Sequence, residues 1–146
     1  LSGLVHLTDF NLVDIKISDI NPLAGLTNLT KLDLHYNEVN DISPLSEITS
    51  LKHLDLYRNQ LSDISAVSGL ENLEYLNLGK NQISDISAIS ELTNLQRLNL
   101  QDNPISDVSA LFGLANPKML NLQGTSVSSD DIRKLIDTFP SCKIYY

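Results

Sequence analysis

The 146-residue chain has one cysteine, one methionine, no tryptophan and only 5% aromatic residues. A lone Cys142 rules out an internal disulfide, so stability does not depend on an oxidising compartment. No apolar run reaches the roughly 18 residues that a membrane-spanning helix needs, so membrane insertion is not expected. Basic residues are scarce: ten Lys and Arg stand against eighteen Asp and Glu, a formal net charge of −8. Nucleic acid is therefore not an expected partner, because its binding relies on Lys and Arg neutralising phosphates. The six glycines are scattered and form no phosphate-cradling loop. No nucleophile with a base and no paired acid and base in a cleft can be made out, so neither an enzyme nor a cofactor is expected.

What the chain has in abundance is leucine, and it is periodic. Leu29, Leu51, Leu73 and Leu95 stand 22 residues apart. Leu32, Leu54, Leu76, Leu98 and Leu120 form a second column, and Leu34, Leu56, Leu78, Leu100 and Leu122 a third. Asn37, Asn59, Asn81 and Asn103 form a fourth. Backwards the columns continue through Leu26, Leu23, Ile20, Ile17, Leu12, Phe10, Leu7 and Leu4 to Leu1. Forwards, another step of 22 puts Phe139, Cys142 and Ile144 on a seventh strand. One unit cannot bury its seven apolar columns alone, and only stacking neighbours makes a continuous core. The expected class is an α/β repeat solenoid in one domain, 1–146, with about seven parallel strands on the inner side. Residues 1–127 are repeats, entered mid-repeat with no cap or leader peptide legible before Leu1, and 128–146 form a terminal cap.

Before each strand comes Asp-Ile/Val-Ser-Pro/Ala, at Asp41, Asp63, Asp85 and Asp107. Asp and Ser beside Pro or Ala are N-cap chemistry, and the few residues available predict 3₁₀ turns on the outer side. The Asn column is expected to hydrogen-bond turn backbone inside the stack. After Val127, Ser128-x-x-Asp131 is a capping signal, followed by Ile132, Leu135, Ile136 and Phe139 at helical spacing and a stop at Pro140. This predicts a capping helix and a last strand. Cys142 falls on a core column, as a small buried hydrophobe.

With the leucines inward, alternate positions point out on the inner face. The third column is Asp9, Lys31, His53, Tyr75, Arg97 and Met119. The fifth is Asn11, Asp33, Asp55, Asn77, Asn99, Asn121 and Lys143. The seventh includes His35, Tyr57, Gly79, Gln101, Gln123 and Tyr145, and the eighth Tyr36, Arg58, Lys80, Asp102 and Tyr146. All five tyrosines lie in these columns. With the flanking second column, which holds Lys52, Glu74 and Lys118, and Asp14 of the eighth, these columns carry seven of the ten basic and six of the eighteen acidic residues, a net of +1, leaving three basic and twelve acidic elsewhere, −9. A charge-balanced aromatic face against an acidic back has the composition of a binding face, since Tyr and Arg favour interface centres. The candidate partner-binding residues are Lys31, Asp33, His35, Tyr36, His53, Asp55, Tyr57, Arg58, Tyr75 and Arg97. Seven strands about 4.8 Å apart and five residues wide offer about 500 Å², below the roughly 800 Å² per partner of a standard interface. A protein partner must therefore use flanking loops too.

Asp33, His35, His53 and Asp55 share this patch, and imidazole with carboxylate could hold a divalent ion. No motif fixes that geometry, and no metal is assigned. Asp33 beside Asp55 is a like-charge contact that a cation, or Lys31 and Arg58, would relieve.

The columns match the leucine-rich-repeat signature L-x-x-L-x-L-x-x-N-x-L. The units Leu26–Leu45 and Leu92–Leu111, with their L-T-N-L and D-I-S-P-L or D-V-S-A-L segments, resemble the repeats of the internalins over roughly residues 1–127. These are 22-residue repeats of bacterial surface and secreted proteins. The resemblance implies a right-handed arc with 3₁₀ turns on the convex side, a cell-surface or secreted location and recognition of a protein through the concave face. The helix and Pro-Ser-Cys-Lys-Ile-Tyr-Tyr ending differ from the internalin pattern and look like the terminal cap of other bacterial leucine-rich-repeat proteins. Carbohydrate binding through Tyr57 and Tyr75 is the alternative function, and a cytoplasmic regulatory scaffold with the same period is a third. Self-association through Leu1–Ile20 is a further expectation, because an uncapped core edge is adhesive.

Overall fold

Most repeats set one leucine between two polar or amphipathic residues, and that alternation makes a short strand with its middle side chain inward and its flanks outward. The computed structural model describes residues 3, 4 and 6–146. Among these lie β1 (Asp9–Asn11), β2 (Lys31–Asp33), β3 (His53–Asp55), β4 (Tyr75–Asn77), β5 (Arg97–Asn99), β6 (Met119–Asn121) and β7 (Lys143–Tyr145). They pair in parallel, in chain order, as one open seven-stranded sheet. The period fixes the register: Phe10, Leu32, Leu54, Leu76, Leu98 and Leu120 align across β1–β6. Leu1, which the repeat pattern included, lies outside the described residues.

The outer side carries the expected 3₁₀ turns: η1 (Asn21–Leu23), η2 (Ser43–Leu45), η3 (Ser65–Val67), η4 (Ser87–Ile89) and η5 (Ser109–Gly113). Their capping differs from the expectation. Ile or Val occupies the N-cap position and makes no side-chain cap bond. Asp41, Asp63, Asp85 and Asp107, one residue earlier, accept from the Ser backbone N–H two residues on, each at 2.8 Å. The serine contributes chiefly its backbone N–H, with its hydroxyl as a lesser donor at Asp41, Asp85 and Asp107. The physical reason is that the cap position itself faces the core, where Ile42, Ile64 and Ile86 are buried, so capping passes to the exposed aspartate as an Asx turn.

The Asn column does what the pattern demands. Asn81 donates from Nδ2 to the carbonyls of Leu56 (3.0 Å) and Leu78 (2.9 Å), and its Oδ1 accepts from Leu61 N–H at 3.0 Å. Asn37, Asn59 and Asn103 repeat the arrangement, stitching each turn to the one before. Leucine, isoleucine and valine fill the space between sheet and turns as one continuous core. Among the described residues no buried side-chain N or O atom lacks a partner.

The last unit departs from the period. Helix α1 (Ser129–Thr138) replaces a 3₁₀ turn, capped by Ser128, whose Oγ accepts from Asp131 N–H at 3.1 Å. Ile132 and Leu135 seal the core. A ten-residue helix uses more chain than a three-residue turn, so β7 enters two residues late: Ile144, not Cys142, faces Leu120, and Tyr145 faces Asn121. Cys142 is therefore a half-buried residue just before the strand rather than a core-column residue. Burial raises its thiol pKa, which keeps it protonated.

Candidate functional site on the inner face

The flanks of β2–β5 bring all ten candidate residues into one contiguous surface. Lys31, His53, Tyr75 and Arg97 sit abreast in register across four strands, with Asp33 and Asp55 abreast in the next row. Lys31 and Arg97 are exposed, whereas His53, Asp33, Asp55, Tyr57, His35 and Tyr75 are half-buried against one another. The two tyrosines expected to be free contact surface are thus partly committed within the face.

Three clusters organise the patch. His53 stacks on Tyr75 with ring centroids 4.0 Å apart and an interplanar angle of 3°. Tyr75 Oη donates to Asp55 Oδ2 at 3.2 Å, beside Asn77 Nδ2 at 3.1 Å. Burial, reinforced by the Asp55 charge, pushes the Tyr75 phenol up to about 12. Burial, together with the Lys31 charge, lowers the His53 pKa and favours its neutral form. The second cluster is aromatic and cationic: Tyr36 meets Tyr57 edge-on at 5.7 Å, and the Arg58 guanidinium lies 5.2 Å from the Tyr36 ring centre. In the third, His35 Nδ1 lies 2.6 Å from Asp33 Oδ1, and Asp33, His35 and Asp55 offer ligand-type atoms within 4.8 Å of one another. The fourth residue of the metal reading, His53, is drawn instead into the stack with Tyr75. Relief of the Asp33–Asp55 contact by Lys31 or Arg58 takes no ion-pair form: among the described residues neither is bonded to these carboxylates, and Arg58 packs on Tyr36.

Two regularities escape sequence reasoning. First, every fifth-column residue of the six full strands spends its Oδ1 on the strand exit. Asn11, Asp33, Asp55, Asn77, Asn99 and Asn121 each accept from the backbone N–H two residues on, at 3.0–3.3 Å. The second terminal atom is left for contacts across the face, as in the bonds of Asn77 Nδ2 to Asp55 Oδ2 and of Asn121 Nδ2 to Gln101 Oε1. Second, the eighth column turns in the left-handed region: Tyr36 at φ 60°, Arg58 at 55°, Lys80 at 54° and Asp102 at 53°. Gly124 holds the same place one unit later at φ 68°, and is the one sequence signal for it. Gly79 was sorted as an exposed position but is buried, with the Tyr57 ring leaning over it.

At the N-terminal edge, where self-association was expected, Leu4 and Ile15 are 42% and 53% exposed, while Leu1, Ser2 and Val5 lie outside the described residues. Among the described residues no helix is long and apolar enough to cross a membrane.

A sequence model described as Leucine Rich repeats (2 copies) matches residues 5–47 and 49–91, and one described as Leucine Rich repeat matches 91–111. No curated protein matches the chain. Among solved structures, internalin C2 of Listeria monocytogenes is 32% identical over 86% of this chain, with a TM-score of 0.73. A leucine-rich-repeat protein of Leptospira interrogans is 24% identical over 98% of the chain, with a TM-score of 0.75, a likeness of fold. The plant peptide hormone receptor RGFR1, in complex with RGF2, is 26% identical over 84% of the chain, with a TM-score of 0.74. The chain spans 66%, 44% and 22% of these three proteins respectively. The internalin-type repeat expected from the D-I-S-P-L and L-T-N-L segments is borne out by the first of them.

Proposed function

The chain belongs to the leucine-rich-repeat family, and from that premise we propose that it is a non-catalytic interaction module that binds a protein through its concave face. One observation carries the reading. Lys31, Asp33, His35, Tyr36, His53, Asp55, Tyr57, Arg58, Tyr75 and Arg97 form an unbroken surface on a rigid sheet, with tyrosine, histidine and arginine at its centre. Side chains already packed against one another lose little conformational freedom on binding, so more of the contact energy remains for affinity. A receptor of the same fold that was solved with RGF2 agrees with this use of the fold.

The internalin-type repeats support a bacterial protein at the cell surface or secreted. The acidic balance argues against nucleic acid as partner. Carbohydrate has less support, because His53 already covers one face of the Tyr75 ring on which a sugar would stack.

The experiment is a capture with the wild-type chain beside Tyr57→Ala/Tyr75→Ala/Arg97→Glu, read by mass spectrometry, with circular dichroism to establish that the variant folds. A protein recovered by the wild type and lost by the folded variant supports the reading. Equal recovery from both moves the binding surface away from the concave face and defeats it.

A further inference from the structure

We propose that the Asp33–Asp55 pair on the concave face is the receptor for a basic side chain of the partner protein, arginine in preference to lysine. The inference rests on the concave-face reading above and names the chemistry that this face selects.

The repeats supply their own control. At the fifth column the fold needs an Oδ1 that accepts from the backbone N–H two residues on, and Asn meets that need at Asn11, Asn77, Asn99 and Asn121. Asp33 and Asp55 make the same bond, with Tyr57 N–H reaching Asp55 Oδ1 at 3.0 Å and His35 N–H reaching Asp33 Oδ1 at 3.3 Å. The two negative charges are therefore surplus to the turn. They also stand directly opposite each other in register on adjacent parallel strands, about 4.8 Å apart, where like charges destabilise.

Among the described residues no Lys or Arg pairs with either carboxylate. The imidazole of His35 lies 2.6 Å from Asp33 Oδ1, which leaves Asp33 Oδ2 and the Asp55 carboxylate without a charged partner among the described residues. The donors on Asp55 Oδ2 are the neutral Tyr75 hydroxyl and Asn77 amide, which hold the carboxylate in place without cancelling its charge. Asp33 Oδ2 has no partner among the described residues. Tyr57 stands beside the pair, two residues past Asp55 on the same outward face.

A planar guanidinium fits this arrangement. Its fork of N–H donors can engage two acceptor groups at once, and its face can lie against an aromatic ring. A metal ion fits less well. His35 Nδ1 already contacts Asp33 Oδ1 at 2.6 Å, and two of the three candidate ligands are tied by backbone N–H bonds to the strand exit.

The probe is acetyl-Gly-Arg-Gly-amide titrated into the ¹⁵N-labelled chain, beside the same peptide with citrulline, the neutral isostere of arginine, and separately Zn²⁺ and Ca²⁺. The expected result is a saturable shift of the His35 and Tyr57 amides with the arginine peptide alone. It should weaken by about tenfold or more in Asp33→Asn/Asp55→Asn, whose asparagines keep the turn bonds. Equal shifts with citrulline, no shift with arginine, an undiminished response in the double variant, or shifts with the metals alone would each overturn the proposal. Applied to a captured partner, the double variant separates the two readings. Loss with Tyr57→Ala/Tyr75→Ala/Arg97→Glu but retention with Asp33→Asn/Asp55→Asn rejects the basic side chain and leaves concave-face binding intact; retention with both rejects both.

Discussion

Tyr57 lies over Gly79, one strand away, so closely that a methyl group on Gly79 would come within 3.0 Å of the ring at Cδ2. That missing side chain lets the Tyr57 hydroxyl reach past β4 to accept from Gln101 Nε2 at 3.5 Å, and Gln101 Oε1 in turn accepts from Asn121 Nδ2 at 2.7 Å. A polar thread therefore crosses the seventh and fifth columns from β3 to β6, and Gly79 is the gap through which it passes.

Replacement Gly79→Ala is expected to displace Tyr57 and to lower stability by about 1 kcal/mol, as overpacking does. A double-mutant cycle with Tyr57→Ala checks it by chemical denaturation. Because the obstruction needs both groups, the two changes should couple; additivity would mean that the ring does not depend on the gap.

Truncating the buried Asn81 to Ala removes four bonds and leaves Leu61 N–H and the carbonyls of Leu56, Leu78 and Gly79 without that partner. The expected loss is about 3 kcal/mol or more, because each buried group left unpaired retains its desolvation penalty. Urea unfolding measures it, and hydrogen exchange at the Leu61 amide should quicken locally.

The like-charged pair predicts the opposite effect. Asp33→Asn should raise stability by a few tenths of a kcal/mol up to about 1 kcal/mol at low salt, with the gain shrinking as salt screens the repulsion. A midpoint that does not move with salt would mean that Asp33 and Asp55 do not repel across the strands.

The left-handed eighth column makes a backbone prediction. Lys80→Gly should stabilise the fold by up to about 1 kcal/mol, since glycine accepts that φ without the steric penalty of a Cβ. Gly124→Ala should destabilise it by about 1–2 kcal/mol, because the added Cβ meets Asp102 Oδ1 as well as the positive φ. Thermal midpoints of the two variants test the pair of signs.

Two titrations carry pH dependence. The His53 pKa is lowered from 6.5 in the folded chain, so the unfolded chain takes up a proton first as pH falls. Stability should therefore decline on going from pH 7 to pH 5, and His53→Gln should flatten that decline. Asp41, Asp85 and Asp107 are held below the usual carboxylate range by hydrogen bonds from the Ser backbone and, less, the Ser hydroxyl, which stabilises the fold above the unfolded carboxylate pKa and is lost as pH drops through the lowered folded value. Asp85→Asn keeps an Oδ1 acceptor and should shallow the acid limb of the urea midpoint against pH.

Tyr75 extends the argument to high pH. With its phenol pushed up to about 12 by burial and Asp55, its neutral form stabilises the fold up to about pH 10, and this contribution falls away between 10 and 12. The ultraviolet difference titration between the chain and Tyr75→Phe should show that ionisation near 12, and Asp55→Asn should lower it.

The sequence by itself determined the strands, their parallel order, the core and the membership of the concave face. Leu54, Leu76 and Leu98 recur every 22 residues, and a repeated apolar column has one way to be buried, beside its copies. It also announced the capping helix through Ser128 and Asp131 and the polar stitching through Asn81, because those bonds are local or repeat with the period. Only the tertiary structure decided what happens between neighbouring units whose side chains differ. The two-residue delay of β7 follows from the extra chain used by α1; the stacking of His53 on Tyr75, the reach of Tyr57 over Gly79 and the isolation of Asp33 and Asp55 from Lys31 and Arg58 follow from rotamers chosen against a neighbour 22 or 44 residues away. A column assigns a side chain to a face; packing across strands decides whether it remains free on that face or is already held by its neighbours.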